Sequence, residues 1–172
     1  QLPNRHMLME NLAKDLARCK RHNLLGAILF LDLNRFKAIN DTLGHAVGDQ
    51  LLIKVGDILK QITRKEDTVA RLSGDEFVIQ LCNLKAGENN GKDSVKNILA
   101  KIHKAFSDAL KVGDHTLHVT PSIGVEIYPL NDEPADQILH HAHIAMYQAK
   151  TQGPNSSMFY NSKLSSGYKM RL

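Results

Sequence analysis

Asp32 closes a nearly continuous apolar run, residues 24–33 (LLGAILFLDL), and Asp75 and Glu76 sit between two β-favouring runs, 68–72 and 77–81. A strand apolar along its whole length is buried on both faces. A carboxylate at its end is costly to bury alone and asks for a cation, a donor or water. The two β runs around Ser73-Gly74-Asp75-Glu76 read as a hairpin with a tight turn. Gly74 lacks a Cβ and lets backbone approach a ligand closely, while Asp75 and Glu76 alternate to opposite sides of the strand entry. An acidic, glycine-containing tip is a place where a metal or a phosphate is handled. Ser, Gly and Asp are also ordinary turn residues, and by itself this stretch favours a solvated turn. Residues 34–49 (NRFKAINDTLGHAVGD) add Lys37, Asn40, Asp41, His45 and Asp49 around a helix junction. Each alone fits the solvation of a helix end. Together, directly after a strand-terminal aspartate, they point to a ligand site.

The elements that must position these groups follow from periodicity. Leu8, Leu12, Leu16 and Cys19 form an apolar stripe on a first helix with Asn4 as N-cap. After the strand at 24–33, residues 36–42 predict a short helix stopped by Gly44. A second helix from Ala46 carries Val47, Leu51, Val55, Leu59 and Ile62 on one face, and the basic residues of 64–67 suit its C-terminus. Residues 84–94 read as a loop. Val95, Ile98, Leu99, Ile102, Phe106 and Leu110 predict a long helix, and 116–128 alternates like one strand, with Pro121 marking a bulge or an edge position. A last helix starts at Pro134, turns Ile138, Leu139, Ala142, Ala145 and Met146 inward and ends at Lys150, before a short strand at 157–160. The order α, β, α, α, β, β, α, β, α, β predicts an α/β sandwich: a central, mostly antiparallel five-stranded sheet packed with helices, with Asp32 and Asp75 meeting at one edge. His140, His141 and His143 are spread around their helix by spacings of one and two, which argues against a three-histidine zinc site.

At 172 residues with 42% apolar content, the chain is most simply one domain that folds without disulfides or a structural metal. Cys19 and Cys82 therefore read as reduced packing residues of a cytosolic protein. A net charge of +4, from 22 basic against 18 acidic residues, hints at an anionic ligand such as a nucleotide and is too small for a nucleic-acid groove. No run approaches membrane-spanning length. The polar tail 162–172 reads as a linker toward another domain.

LPNR at 2–5, DLNRFKAINDTLGHAVGD at 32–49, RKED at 64–67, ARLSGDEF at 70–77, TPSIGV at 120–125 and YQAK at 147–150 together resemble, in order and spacing, the GGDEF domain family of diguanylate cyclases. The resemblance covers nearly the whole chain, residues 1–161. It implies a fold of the nucleotide-cyclase and polymerase-palm (ferredoxin-like) type and an enzyme that joins two GTP into cyclic di-GMP with release of two pyrophosphates. It implies Mg²⁺ (or Mn²⁺) held by Asp32, Asp75 and the Leu33 carbonyl, hard oxygen ligands suited to such ions. Asn40 and Asp49 match guanine-reading positions, Lys37 and Lys150 match phosphate contacts, and the backbone around Arg35, Phe36 and Gly74 approaches the nucleotide. Glu76 matches a helper that deprotonates the attacking 3′-hydroxyl or holds a metal-bound water. Arg64 and Asp67 match a product-inhibition site. A homodimer is implied, because each domain holds one GTP, as are covalently linked sensor or phosphodiesterase (EAL) domains. The cyclase would be a cytoplasmic domain of a protein that is membrane-anchored in some arrangements.

Four departures accompany the resemblance. Ser73 replaces the first glycine of the hairpin motif, Asn34 an aspartate two residues after the metal ligand, Pro154 a basic residue, and His143 an acidic one. They leave a second reading beside the first, a weak or silent module that binds GTP or cyclic di-GMP and regulates an adjacent EAL domain. A third is another palm-like nucleotidyl transferase.

Overall fold

A computed structural model describes residues 2–84, 87, 89–129 and 132–161. Five helices, α1 (Arg5–His22), α2 (Phe36–Leu43), α3 (His45–Ile62), α4 (Lys92–Ala105) and α5 (Ala135–Thr151), alternate with seven strands among these residues. The strands are β1 (Leu25–Leu33), β2 (Thr68–Ser73), β3 (Glu76–Leu84), β4 (Leu110–Val112), β5 (His115–Leu117), β6 (Pro121–Tyr128) and β7 (Ser156–Phe159). The main sheet has the order β2-β3-β1-β6-β7, antiparallel except for the parallel β6–β7 pair. β1 is central, which is why its sequence is apolar along its length.

Strand alternation divides the core between two helical layers. Leu29, Leu31, Phe77, Ile79, Ile123 and Val125 belong to one buried cluster with Leu51, Val55 and Leu59 of α3 and Val95, Leu99 and Ile102 of α4. Ile28, Phe30, Val78 and Tyr128 turn the other way, into a cluster with Leu8, Leu12 and Leu16 of α1 and Leu139, Ala142 and Met146 of α5. Asn4 caps α1 as its position predicts, its Oδ1 accepting from Met7 N–H at 3.0 Å. On β6, Gly124 lies so close under α5 that a Cβ would come within 2.1 Å of the Ala142 carbonyl oxygen and the Met146 nitrogen.

Three sequence expectations are corrected. The helix expected to run through Leu110 ends at Ala105, where Ser107 Oγ donates to the Lys104 carbonyl at 2.7 Å and turns the chain. Leu110 then pairs with Leu117 in a separate β4–β5 hairpin whose turn is Gly113-Asp114, with φ +60° at Gly113. The expected strand at 116–128 is therefore two strands. Pro121 marks neither a bulge nor an edge: it is the first residue of a fully buried strand paired on both sides, a position that tolerates the missing N–H.

Asp15 on α1 is buried at 8% exposure and is held from every side. The Tyr128 hydroxyl donates to its Oδ2, Arg18 reaches its Oδ1 at 2.8 Å, and Gln80 Nε2 donates to the Tyr128 hydroxyl at 3.2 Å. Burial and the Asp15 charge push the Cys19 thiol up to about 11 and the Cys82 thiol up to about 12, so both stay protonated, unreactive packing groups. Tyr128→Phe should lower stability by about 1–3 kcal/mol, because Asp15 Oδ2, left with the Cys19 thiol alone, and Gln80 each lose a buried hydrogen bond. A urea titration with an unchanged midpoint would contradict that network.

Candidate active site

Asp32 stands at the C-terminal end of β1 directly across from Glu76 on β3 and Ser122 on β6. Only 6% of it is exposed. Its Oδ2 forms an ion pair with Lys150 Nζ, reaching over from the last turn of α5. Its Oδ1 is buried with no hydrogen-bond partner. Asp75 occupies the two-residue turn between β2 and β3, and its backbone carbonyl accepts from Leu33 N–H at 3.2 Å, which pins the turn to the end of β1. The Leu33 carbonyl points the same way as its N–H in an extended strand and so faces that turn. Burial, then the Asp32 charge and a hydrogen bond between the two side chains, raise the Asp75 carboxyl to about 6, against the pull of Lys150. Two crowded carboxylates, one with an orphaned buried oxygen, and a nearby carbonyl form an all-oxygen donor set that fits a small hard dication.

Asp75 is therefore in the turn rather than the strand, and Glu76 alone begins β3. Glu76 is engaged by Ser73, whose hydroxyl donates to Glu76 Oε1 at 2.8 Å. Ser73 thus contributes a hydroxyl contact as well as a Cβ, a role that its replacement of a glycine does not reveal in sequence. Gly74 takes φ +42°, and its face is open, with nothing within 4 Å of a would-be Cβ. His143, on α5, stacks on Phe30 with ring centroids 4.7 Å apart; burial lowers its pKa while the charges of Glu76 and Asp32 raise it.

The loop after β1 is shaped by Arg35, a non-glycine residue in the left-handed region at φ 69° and ψ 11°. The turn leaves the first N–H groups of α2, beginning at Phe36, without a side-chain cap. Asn34 braces it, its Nδ2 donating to Thr120 Oγ1 and its Oδ1 accepting from Ser122 Oγ, both at 3.2 Å. An aspartate at 34 would lack the Nδ2 donor. Asn40 on α2 packs against Gly48 on α3, where a Cβ would fall 1.8 Å from Asn40 Oδ1, and that oxygen is buried with no partner. Asp49 is exposed on the adjoining turn of α3, and Lys37 is exposed on α2. The structure thus gathers Asp32, Leu33, Asp75, Glu76 and Lys150 at one end of the central strands, and sets Arg35 at the entry to α2 and Phe36, Lys37, Asn40 and Asp49 on the two helices that follow β1.

Arg64 and Asp67 lie at the opposite end of β2 from the hairpin tip. Asp67 Oδ2 accepts from Arg64 N–H at 2.9 Å and Oδ1 from Cys82 N–H at 3.0 Å, so this carboxylate closes the turn. The Arg64 guanidinium reaches the Cys82 carbonyl at 3.4 Å and Glu66 at 3.7 Å and is half exposed. Of the α5 histidines, His143 stacks on Phe30. His141 instead meets two glutamates, Glu126 and Glu133, that the sequence places far from it in register and that no motif singles out.

A mostly antiparallel sheet with helices on both faces and carboxylates gathered at one strand end places the molecule in the nucleotide-cyclase and palm class of folds. The family described as "Diguanylate cyclase, GGDEF domain" matches residues 1–156. The chain belongs to the GGDEF domain family. It is 34% identical over its whole length to the bifunctional diguanylate cyclase/cyclic di-GMP phosphodiesterase MucR of Pseudomonas aeruginosa, of which it spans 24%. It is 36% identical over 156 residues, 90% of the chain, to the diguanylate cyclase TpbB of the same species, of which it spans 35%. The chain thus corresponds to a minor part of these longer relatives. The solved structure of a TpbB form from Pseudomonas aeruginosa comprising only the GGDEF domain superposes with a TM-score of 0.90 at 33% identity, covering 98% of this chain and 95% of that one.

Proposed function

We propose that this domain is a diguanylate cyclase that condenses two GTP into cyclic di-GMP and two pyrophosphates. The observation that carries the reading is the orphaned, buried Asp32 Oδ1 beside Asp75 and Lys150. Family membership supports it, since several relatives at 35–37% identity are named diguanylate cyclases, beside a signalling protein at 38% and a cyclic di-GMP phosphodiesterase at 35%. Mg²⁺ or Mn²⁺, held by Asp32, Asp75 and the Leu33 carbonyl, would supply charge neutralisation at the phosphates. Lys150, which reaches Asp32 from the last turn of α5, would contact the phosphates together with Lys37 and the open N–H groups at the start of α2. Asn40 Oδ1 accepts from guanine N–H, and the acceptor-only Asp49 favours the N1–H and N2–H edge of guanine over adenine. Glu76, oriented by the Ser73 hydroxyl, receives the proton of the attacking 3′-hydroxyl. The new bond forms to the α-phosphorus as the bond to pyrophosphate breaks in line. Gly74 keeps the hairpin tip open to the nucleotide.

Each domain holds one GTP, so two copies facing each other across a two-fold axis complete the reaction. Residues 1–161 are the catalytic unit; the expected linker at 162–172 lies outside the described residues. Among the described residues no helix is long and apolar enough to cross a membrane. We place the domain in the cytoplasm, attached to sensor or EAL domains, an arrangement supported by MucR, whose name joins cyclase and phosphodiesterase.

Incubation of the purified chain with GTP and Mg²⁺ tests the proposal. Cyclic di-GMP should accumulate with a rate that rises more than linearly with protein concentration. GTP binding without product at high protein concentration would instead favour the regulatory module, whose support is the engagement of Glu76 by Ser73. Polymer from mixed nucleotides would point to a different palm-like transferase. Arg64, presented by the turn that Asp67 closes, is proposed to grip the product. Arg64→Ala should weaken cyclic di-GMP binding about tenfold or more, a charged hydrogen bond contributing about 1.5–3 kcal/mol, and leave the initial rate intact. Unaltered product affinity in calorimetry would remove Arg64 from that role.

A further inference from the structure

Glu126, Glu133 and His141 come from three separate pieces of chain: β6, the segment entering α5, and the first half of α5. One ligand atom from each lies within 4.8 Å of the other two. His141 Nδ1 is 2.7 Å from Glu126 Oε2 and 3.3 Å from Glu133 Oε2. Around a cation with bonds of about 2.0–2.1 Å, neighbouring ligands stand about 2.9–3.3 Å apart along octahedral or tetrahedral edges. The two histidine–glutamate separations are close to that spacing, and the two carboxylates come within 4.8 Å of each other.

The surroundings support a cation independently of that spacing. Glu126 and His141 are 5% and 7% exposed, and among the described residues no lysine or arginine pairs with either glutamate. Burial and the neighbouring Glu133 charge push the Glu126 carboxyl up to about 8, so its ionised form lacks compensation. Burial lowers the His141 pKa and favours the neutral imidazole that metals require. The ring is locked: Tyr160 stacks on it at 3.9 Å and 4°, and Tyr160 N–H is itself tied to the Val125 carbonyl at 2.7 Å. The second ring nitrogen, Nε2, lies 3.4 Å from Gln137 Nε2. The oxygen and nitrogen of an amide exchange by a half-turn, and with the oxygen presented Nε2–H would donate to it and leave the Nδ1 lone pair toward the glutamates. That outer hydrogen bond is the usual support of a metal-bound imidazole.

We propose that Glu126, Glu133 and His141 form a second cation site, separate from Asp32 and Asp75, that takes a divalent ion of the zinc class. The imidazole nitrogen selects zinc-like ions over Mg²⁺, which prefers oxygen alone. Two carboxylates and a neutral imidazole around a dication sum to zero charge, the least costly state for a buried site. The ion would join β6, the entry to α5 and α5 itself. This site does not depend on the catalytic reading above.

The test is calorimetric titration of the untagged chain with zinc chloride alone, in excess Mg²⁺. One zinc per chain should bind, survive Asp75→Asn, and weaken about tenfold or more in His141→Gln and in Glu133→Gln. Cobalt in place of zinc should give a ligand-field absorption band that His141→Gln removes. Glu133 is partly exposed outside the helix, so Glu133→Gln keeps the test decisive should His141→Gln fail to fold. Absence of zinc uptake by the folded wild type overturns the proposal. So does uptake that Glu133→Gln leaves unchanged, or that disappears with Asp75→Asn.

Discussion

Asp75→Asn is expected to lower cyclic di-GMP formation by about a thousandfold or more while the protein stays at least as stable as the parent. The substitution keeps the size of the side chain and the turn between β2 and β3, and removes one of the two charges proposed to hold the metal. Its effect on stability has the opposite sign. The Asp75 carboxyl is raised to about 6 by burial and then by Asp32, so the stability tied to its protonated form is fully present below the ordinary carboxylate range. That stability is lost as pH rises through about 6, and at neutral pH the ionised group is a destabilising presence that asparagine removes. Loss of turnover joined to an equal or higher melting temperature is the expected pairing, since strain of this kind collects where chemistry is done. GTP binding through Asn40 and Asp49 should persist. Cyclisation at the parental rate would remove Asp75 from the metal site.

Gly124→Ala is expected to be the most damaging methyl group that can be added to the β6–α5 interface. The Ala142 carbonyl oxygen and the Met146 nitrogen would each lie 2.1 Å from the new carbon, and the Ala145 carbonyl carbon 2.7 Å. All three are backbone atoms of a helix packed on the central sheet, so no rotamer change relieves the clash. Either α5 moves away from β6 or the domain loses its packing, at a cost of about 3–5 kcal/mol. In a domain of this size that is a fall in Tm of about 6–20 °C, at about 2–4 °C per kcal/mol. Lifting α5 also carries Lys150 away from Asp32, so residual activity should fall with stability. A melting temperature near that of the parent would show that the two elements do not approach so closely. Gly48 offers a contrast: a Cβ there meets the end of the Asn40 side chain, which can swing aside, so the penalty falls on guanine reading more than on the fold.

Much of this architecture was legible along the chain because its determinants are local. The apolar run of β1, the stripes of α1 and α3, the Asn4 cap and the Gly74 turn are each written within a few residues. The errors lay where a local pattern was interrupted by a turn of ordinary composition. A turn at Ser107 separates α4 from a small hairpin that itself turns at Gly113-Asp114, yet Leu110 continues the apolar spacing of the helix and invites its extension. Pro121 looked like an edge residue because a proline inside a paired strand is rare, and its place as the first residue of β6 depends on where pairing begins.

The site divides along the same line. The motif blocks and the strand-end position of Asp32 identified the residues gathered around it, since a charge at the end of a buried strand is conspicuous in sequence. Which atoms lack partners, how Ser73 engages Glu76, and the meeting of Glu126, Glu133 and His141 depended on tertiary packing. Those contacts join groups between 3 and 118 positions apart in the chain, counting from Ser73 to Glu76 and from Asp32 to Lys150. Sequence by itself determined which residue types face which layer, through periodicities of two and of three to four. Only the folded sheet decided which charges share one small volume, because electrostatic neighbours are set by distance in space and by the water excluded around them.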